Sequence, residues 1–251
     1  KLFRQYDINF LLNSEPQTFS DGFHRQHGPS ACSTGFRCLD AGKAYANAIK
    51  RGARPFDGDV HAKGGKDLPA VYGIGDSLIY FVDQYKTNNI YDDNFKFHTK
   101  DVRPNGLGLK VIDHLTNNVP KGQMDQWCSF YQNIFNFSER RYFDIRGQAT
   151  GLVSKVMRSP CENITIPINE PTGEKSQIQE YLDEYKGSGI QHIAMLTNDI
   201  IPTVERLREQ GVKFLDVPET YYEMLHERLP NVTEDIERLR HNKILVDGDA
   251  G

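Results

Sequence analysis

The alternation of apolar and polar residues divides the chain into short strands and amphipathic helices. Two segments share one plan: INFLLNSEP leads to CSTGFRCLDAGKAYANAIKRG, and ITIPINEP leads to GIQHIAMLTNDIIPTVERLREQG. In each, a strand that ends in Asn and Glu-Pro precedes a second strand and a helix. Asp40 and Asp199 are predicted N-caps, and Gly52 and Gly211 are predicted to end the helices. The duplication indicates a fold built from repeated units.

A further unit lies between these segments. GLGLKVIDHLTNNV predicts a strand around residues 109–115, and KGQMDQWCSFYQNIFNF predicts a helix. Three more strands are expected near residues 141–146, 150–158 and 163–168. Residues from 190 onward begin the same β-α-β-β-β order again. Two such units placed side by side would curl into a half-barrel around a cavity.

The region before this unit resembles a degenerate version of the same arrangement. Pro and Gly residues within 101–109 predict the boundary. We therefore expect a scaffold domain over residues 1–104 and a second domain over residues 105–251.

Composition changes this picture little. Hydrophobic residues make up 38% of the 251 residues, and 30 basic residues face 34 acidic ones. We expect no nucleic-acid partner, because no basic stripe is interleaved with aromatic residues. We expect no membrane span, because no apolar run approaches about 20 residues. The four cysteines lack metal-binding spacing, and no export signal opens the chain, so we expect free thiols in the cytoplasm.

Two histidines occupy corresponding strand positions and suggest a metal site. His114 lies near the end of one strand, and His192 lies in an apolar segment that predicts a buried strand. Strand alternation sends Asp113 to the face opposite His114. If the units pack as pseudo-equivalent halves, both imidazoles point into one cavity, as in a transition-metal site. A single buried His is more often a hydrogen-bonded core residue, so this structural role stays open.

The duplication itself favours a functional role for the second histidine. Ser33 occupies in the first repeat the position that His192 occupies in the second, counted back from the paired glycines. The repeated fold therefore does not require a histidine there. The chain has no His-Glu-x-x-His helix, which argues against a zinc protease.

Several ordered motifs carry a family resemblance. VIDHLTNNV, PINEP, SQIQEYL and GSGIQHIAMLTNDI, together with FYQNIFNFSERRYFDI and LVSKVM, resemble the 4-hydroxyphenylpyruvate dioxygenase family in order and spacing. The resemblance is dense over residues 105–251 and loose before them. It implies that residues 105–251 are the iron-binding catalytic domain, incomplete at its C-terminus. It implies an α+β fold of tandem βαβββ modules that form two open half-barrels, the vicinal-oxygen-chelate or glyoxalase-like fold, truncated here at both ends. It also implies a strand and turn in HNKILVDGDAG.

The resemblance also implies the site. In the family, Fe(II) is held by two His and one Glu, and His114 and His192 match the two His positions. Four polar residues match positions associated with the substrate pocket: Ser154, Asn169, Gln177 and Gln191. The Glu is expected beyond Gly251, so the chain as given is expected to hold iron poorly and to be inactive. No catalytic residue is expected beyond the metal centre.

The activity implied is the conversion of 4-hydroxyphenylpyruvate and O2 to homogentisate and CO2, in tyrosine and phenylalanine catabolism, by a cytoplasmic dimer or tetramer. A 4-hydroxymandelate synthase-type oxygenase is an alternative with the same substrate, although such synthases carry an apolar residue where Asn169 stands. A metal-free binding module of the same fold is another. A zinc- or nickel-dependent isomerase or lyase of the superfamily is a third.

Overall fold

The computed structural model describes residues 1–58, 68–86, 89–146, 151–173 and 175–248, with the side chains of residues 93 and 144–146 excepted. The strands are β1 (Leu2–Gln5), β2 (Ile8–Leu11), β3 (Ser33–Arg37), β4 (Ala70–Tyr72), β5 (Leu78–Val82), β6 (Leu109–Asn118), β7 (Ser138–Arg146), β8 (Gly151–Arg158), β9 (Thr165–Pro171) and β10 (Gly189–Thr197). The helices are α1 (Phe19–His27), α2 (Ala41–Lys50), α3 (Ile90–Asn94), α4 (Met124–Phe135), α5 (Gln177–Tyr185), α6 (Ile200–Glu209), α7 (Glu219–Glu223), α8 (Leu225–Arg228) and α9 (Ile236–His241). A 3-10 turn covers Ile74–Asp76.

A five-stranded sheet has the strand order β10-β6-β9-β8-β7. All the predicted site residues that lie on strands belong to this sheet. Strand β8 runs antiparallel to both β7 and β9, whereas β6 runs parallel to β9. The predicted strands of this unit are therefore present, with ends displaced by a few residues. The parallel pair sets Asn118 directly opposite Asn169.

One face of this sheet packs against α4. Met157 and Ile168 are completely buried there, next to Cys128 and Tyr131 of the helix. The helix presents these residues at i and i+3, which gives one apolar stripe. Glu170 fixes its start, since one carboxylate oxygen accepts hydrogen bonds from the backbone N–H groups of residues 122 and 124 at 3.0 and 3.1 Å. The opposite face of the sheet is left for the candidate site.

The internal duplication is visible as β2-α1-β3-α2 and β9-α5-β10-α6. Asp40 caps α2, because its side chain accepts a hydrogen bond from the Lys43 backbone N–H at 2.8 Å. Asp199 has the same extended N-cap conformation but makes no such side-chain bond. Gly52 and Gly211 have φ of +96° and +84°, the left-handed region that favours glycine after a helix. The predicted helix boundaries are confirmed.

Strands β3, β5 and β4 form a three-stranded sheet in that order, and β1 pairs with β2. The chain divides into two compact units. The larger comprises Lys1–Phe3, Asn9–Val102 and Ile112–Met195, and the smaller comprises Arg4–Ile8, Arg103–Val111 and Leu196–Gly251. These units group segments by contact and not by duplicated module, so the boundary near residue 104 stays a prediction. None of the helices in the described ranges could span a membrane.

The strand expected in HNKILVDGDAG is wrong for the described residues of that segment. Residues 242–248 form no strand, and residues 249–251 lie outside the described part. The carbonyl oxygens of Ile244 and Val246 accept hydrogen bonds from the hydroxyls of Tyr222 and Tyr221 instead. The family resemblance implied this strand, but among the described residues the segment has no neighbouring strand to bond its backbone.

The prediction that His192 lies in a buried strand is also wrong. β10 is an edge strand of the five-stranded sheet, and His192, Met195 and Leu196 are exposed among the described residues. An edge position leaves one side of the strand without a partner, so an apolar sequence does not ensure burial.

Candidate metal centre

Neighbouring strands β6 and β10 bring the two predicted ligands together. The Nε2 atoms of His114 and His192 lie 3.3 Å apart, and the ring planes are inclined at 75°. Two imidazoles on one ion, with metal–nitrogen bonds of about 2.1 Å, would have nitrogens about 3.0 Å apart at a right angle and about 3.4 Å apart at the tetrahedral angle. The observed separation fits a pair of adjacent ligands.

The other ring nitrogens are occupied. Nδ1 of His114 lies 2.7 Å from a carboxylate oxygen of Asp113, and Nδ1 of His192 contacts the side-chain oxygen of Gln191. Since both oxygens accept hydrogen bonds, each Nδ1 carries the proton and each Nε2 presents a lone pair. Metal-binding histidines are commonly oriented by such acceptors. The donor set therefore fits a metal ion.

The contact made by Asp113 contradicts the expectation that it lies away from His114. Alternation fixes the direction of the Cα–Cβ bond, and the carboxylate still reaches the Nδ1 atom because that atom lies close to the backbone. Asp113 is therefore a hydrogen-bond partner of His114, although strand alternation predicted that it lies on the opposite face of the sheet.

Thr116 is a site residue that sequence reasoning missed. Its hydroxyl lies 3.0 Å from Nε2 of His192, and the residue is buried. His192 as a whole is exposed, but its Nε2 lies between Thr116 and His114. Partial desolvation, and then the nearby charge of His114, lower the pKa of His192 and favour the neutral ring. The signal for Thr116 was available, since alternation places it on the face of His114.

A row of polar residues crosses the same face of the sheet. Asn169 stands directly opposite Ser154 on one side and Asn118 on the other. The Asn169 amide donates to the Asn118 side-chain oxygen at 3.3 Å. Asn118 is fully buried, yet its Nδ2 has no hydrogen-bond partner in the described structure. Buried amides are normally paired, so this unpaired donor is an exception that a purely structural role of Asn118 does not explain.

The two predicted glutamines differ in their placement. Gln191 contacts His192, whereas Gln177 is the first residue of α5 and is exposed. Among the described residues, no hydrogen bond joins Gln177 to the other predicted site residues. The same residues contain no group of three His, Cys, Asp or Glu side chains that could hold a metal. The described residues thus provide two candidate metal ligands, His114 and His192.

Two family models match the chain. Residues 1–96 match "Hydroxyphenylpyruvate dioxygenase, HPPD, N-terminal", and residues 111–228 match "Glyoxalase/Bleomycin resistance protein/Dioxygenase superfamily". Among solved structures, a mutant of 4-hydroxymandelate synthase from Streptomyces coelicolor has a TM-score of 0.83 at 23% identity, over 99% of this chain and 72% of that one. A xylose isomerase-like TIM barrel/4-hydroxyphenylpyruvate dioxygenase fusion protein has a TM-score of 0.82 at 34% identity, over 99% and 39%.

These matches and the open sheets define a protein of the vicinal-oxygen-chelate superfamily, as predicted. The 4-hydroxyphenylpyruvate dioxygenase of Legionella pneumophila (strain Corby) is 49% identical over 99% of this chain and 70% of its own length. That of Pseudomonas aeruginosa is 48% identical over 100% and 70%, and the Hemolysin VllY of Vibrio vulnificus is 48% identical over 98% and 70%. The chain belongs to the 4-hydroxyphenylpyruvate dioxygenase family, whose members are metal-dependent oxidoreductases that act on small molecules.

Proposed function

We propose that this protein is an Fe(II)-dependent dioxygenase that converts 4-hydroxyphenylpyruvate and O2 to homogentisate and CO2. The observation that carries the proposal is the 3.3 Å approach of the Nε2 atoms of His114 and His192, with both Nδ1 atoms held by acceptors. Relatives that bear the name of this activity are 49% identical over nearly the whole chain, which supports the choice of substrate.

His114 and His192 would hold the iron, and the third ligand is proposed to be a Glu beyond Gly251. Two His and one carboxylate form the donor set typical of non-haem Fe(II) oxygenases. Bound Fe(II) would supply the activation of O2 that oxidative decarboxylation of the α-keto acid and hydroxylation of its ring require.

The protein's own groups orient the ligands and the substrate. Asp113 and Gln191 accept the Nδ1 protons of the two imidazoles, which keeps each Nε2 free for the metal. Ser154 and Asn169 lie abreast on the site face and are proposed to hydrogen-bond polar groups of the substrate. Gln177 is proposed to contribute from the start of α5.

The test is O2 consumption by the full-length protein that contains this chain, loaded anaerobically with Fe(II), on addition of 4-hydroxyphenylpyruvate. Homogentisate from the wild type, and none from His192→Ala, is the expected result. Hydroxymandelate would assign the alternative synthase reaction, in which the benzylic carbon is oxidised. No O2 uptake despite bound iron would overturn the oxygenase proposal and leave a metal-binding module.

We also propose that the protein acts in the cytoplasm as a homodimer or homotetramer, as the family resemblance implies. Light scattering coupled to size-exclusion chromatography measures the mass of the assembly directly. A monomeric mass at micromolar concentration would contradict this proposal without affecting the proposed reaction.

A further inference from the structure

His192 depends on a short segment that precedes it. Residues 188–190, called here the β10 lead-in, are the last residue before β10 and its first two residues, and His192 follows two residues further on. In the described five-stranded sheet, β10 has a strand neighbour, β6, on one side only. The position of the Nε2 atom of His192 therefore also depends on the contacts that residues outside the sheet make with the lead-in.

Gly75, which belongs to the predicted domain of residues 1–104, lies against the lead-in. It lies in the 3-10 turn Ile74–Asp76 with φ of +62°. A Cβ at this position would lie 1.9 Å from the Ser188 carbonyl oxygen and 2.8 Å from its carbonyl carbon. The turn can lie directly against the lead-in only because residue 75 has no side chain. Both atoms belong to the backbone of Ser188, so no change of rotamer could relieve the clash that a larger residue at position 75 would cause.

Two tyrosines of α5 hold the lead-in from another direction. The ring of Tyr185 packs so closely on Gly189 that a Cβ there would lie 2.3 Å from a ring carbon. Tyr181 stacks on Tyr185 with ring centroids 5.0 Å apart, and its hydroxyl donates to the Ile190 carbonyl oxygen at 3.1 Å. These contacts fix the backbone on both sides of the Gly189–Ile190 peptide.

His27 of α1 in turn positions Tyr185. Its ring stacks on the tyrosine ring at 4.3 Å and 20°, and its Nδ1 lies 2.6 Å from the Tyr185 carbonyl oxygen. That carbonyl accepts the hydrogen bond, so Nδ1 is the donor. The first predicted domain thus contacts the end of α5 through His27 and the lead-in through Gly75.

We propose that Gly75, His27 and Tyr181 are positioning residues that place His192 for metal binding, by holding the β10 lead-in against α5. The inference rests on the proposed function, because it takes His192 to be a ligand. Metal–ligand distances tolerate deviations of only about 0.2 Å, so a displacement of the lead-in would weaken binding without removing a ligand. The domain that had been expected to serve only as scaffold therefore contributes to the site.

The test measures Co(II) affinity of the full-length protein by calorimetry and by the visible absorption of bound Co(II), without substrate. Gly75→Ala is expected to weaken binding about tenfold, the lower range for residues that orient ligands. Gly52→Ala is the control, because Gly52 also has a positive φ, of +96°, and a Cβ added there would have nothing within 4 Å. It should lose less stability than Gly75→Ala, since it adds backbone strain without a clash, and it should keep the wild-type affinity.

Tyr181→Phe is the second variant, and it decides the question if Gly75→Ala does not fold. It removes one hydrogen bond and no volume, so binding is expected to weaken about threefold with unchanged circular dichroism. Wild-type affinity in Tyr181→Phe, and in Gly75→Ala where that variant folds, would overturn the positioning role. Unchanged affinity in His192→Ala would instead show that the metal lies elsewhere, and the proposed function would fail with it.

Discussion

The two repeated segments share their helix boundaries. They differ in the residue that the neighbouring strand places next to one equivalent position of the strand before the helix. At the N-caps, Asp40 has φ of −151° and ψ of 108°, and Asp199 has φ of −145° and ψ of 104°. In the first repeat, Ser33 lies opposite Leu78 of the neighbouring strand and is exposed. In the second, His192 meets His114. The repeated backbone is thus compatible with either residue, and the chemistry depends on the neighbouring strand.

Replacing His192, the residue that differs between the repeats, should have the largest effect on metal binding. His192→Ser places the residue of the first repeat in the second, and we expect Co(II) affinity to fall at least about 100-fold, because loss of a ligand exceeds loss of an orienting partner. Unfolding by urea should change little, since exposed positions contribute about 0.5 kcal/mol or less. Ser33→Ala, the matched control, should leave both measurements unchanged. Equal metal binding by all three proteins would remove the functional difference between the repeats.

Changing a feature that the repeats share should affect both alike. Gly52→Ala and Gly211→Ala each place a side chain at positive φ, with nothing within 4 Å of the new Cβ. Each should lower the free energy of unfolding by about 1–2 kcal/mol, the cost of left-handed backbone for an L-residue. Chemical denaturation measures both values. A difference between them larger than the error would show that the two helix ends are not equivalent.

The smallest effect concerns the N-caps, where the repeats differ in hydrogen bonding. Asp40→Ala should lower the unfolding midpoint more than Asp199→Ala, because only Asp40 caps through its side chain. The Lys43 backbone N–H, and then the Lys43 side chain, hold the pKa of Asp40 below its usual value. A lowered folded-state pKa means that the stabilisation is present above the ordinary carboxyl pKa and is lost as the pH falls through the folded value.

The difference between wild type and Asp40→Ala should therefore shrink on acidification. Thermal unfolding followed at neutral and at acidic pH measures it. A difference that grows as the pH falls would contradict the assigned direction of the pKa shift.

Much of the site was accessible from sequence because its residues lie on strands with regular alternation. Ser154, Asn169 and the two histidines were matched through family motifs, and the sheet register sets Ser154 opposite Asn169. Gln177 could not be placed in this way, because a residue at the start of a helix has no strand register. Asn118 was missed although alternation places it, like Thr116, on the face of His114, and its pairing with Asn169 shows that it belongs to the polar row.

Sequence by itself determined the elements whose causes are local. An N-cap, a glycine at positive φ and the period of an amphipathic helix depend on residues a few positions apart, so the repeats and the family could be recognised. Tertiary structure decided that His192 lies on an exposed edge strand, that Asp113 and Thr116 join the histidines, and that Gly75 lies against residue 188. These contacts depend on strand order and on the approach of distant backbone segments, which the alternation within a single strand does not specify.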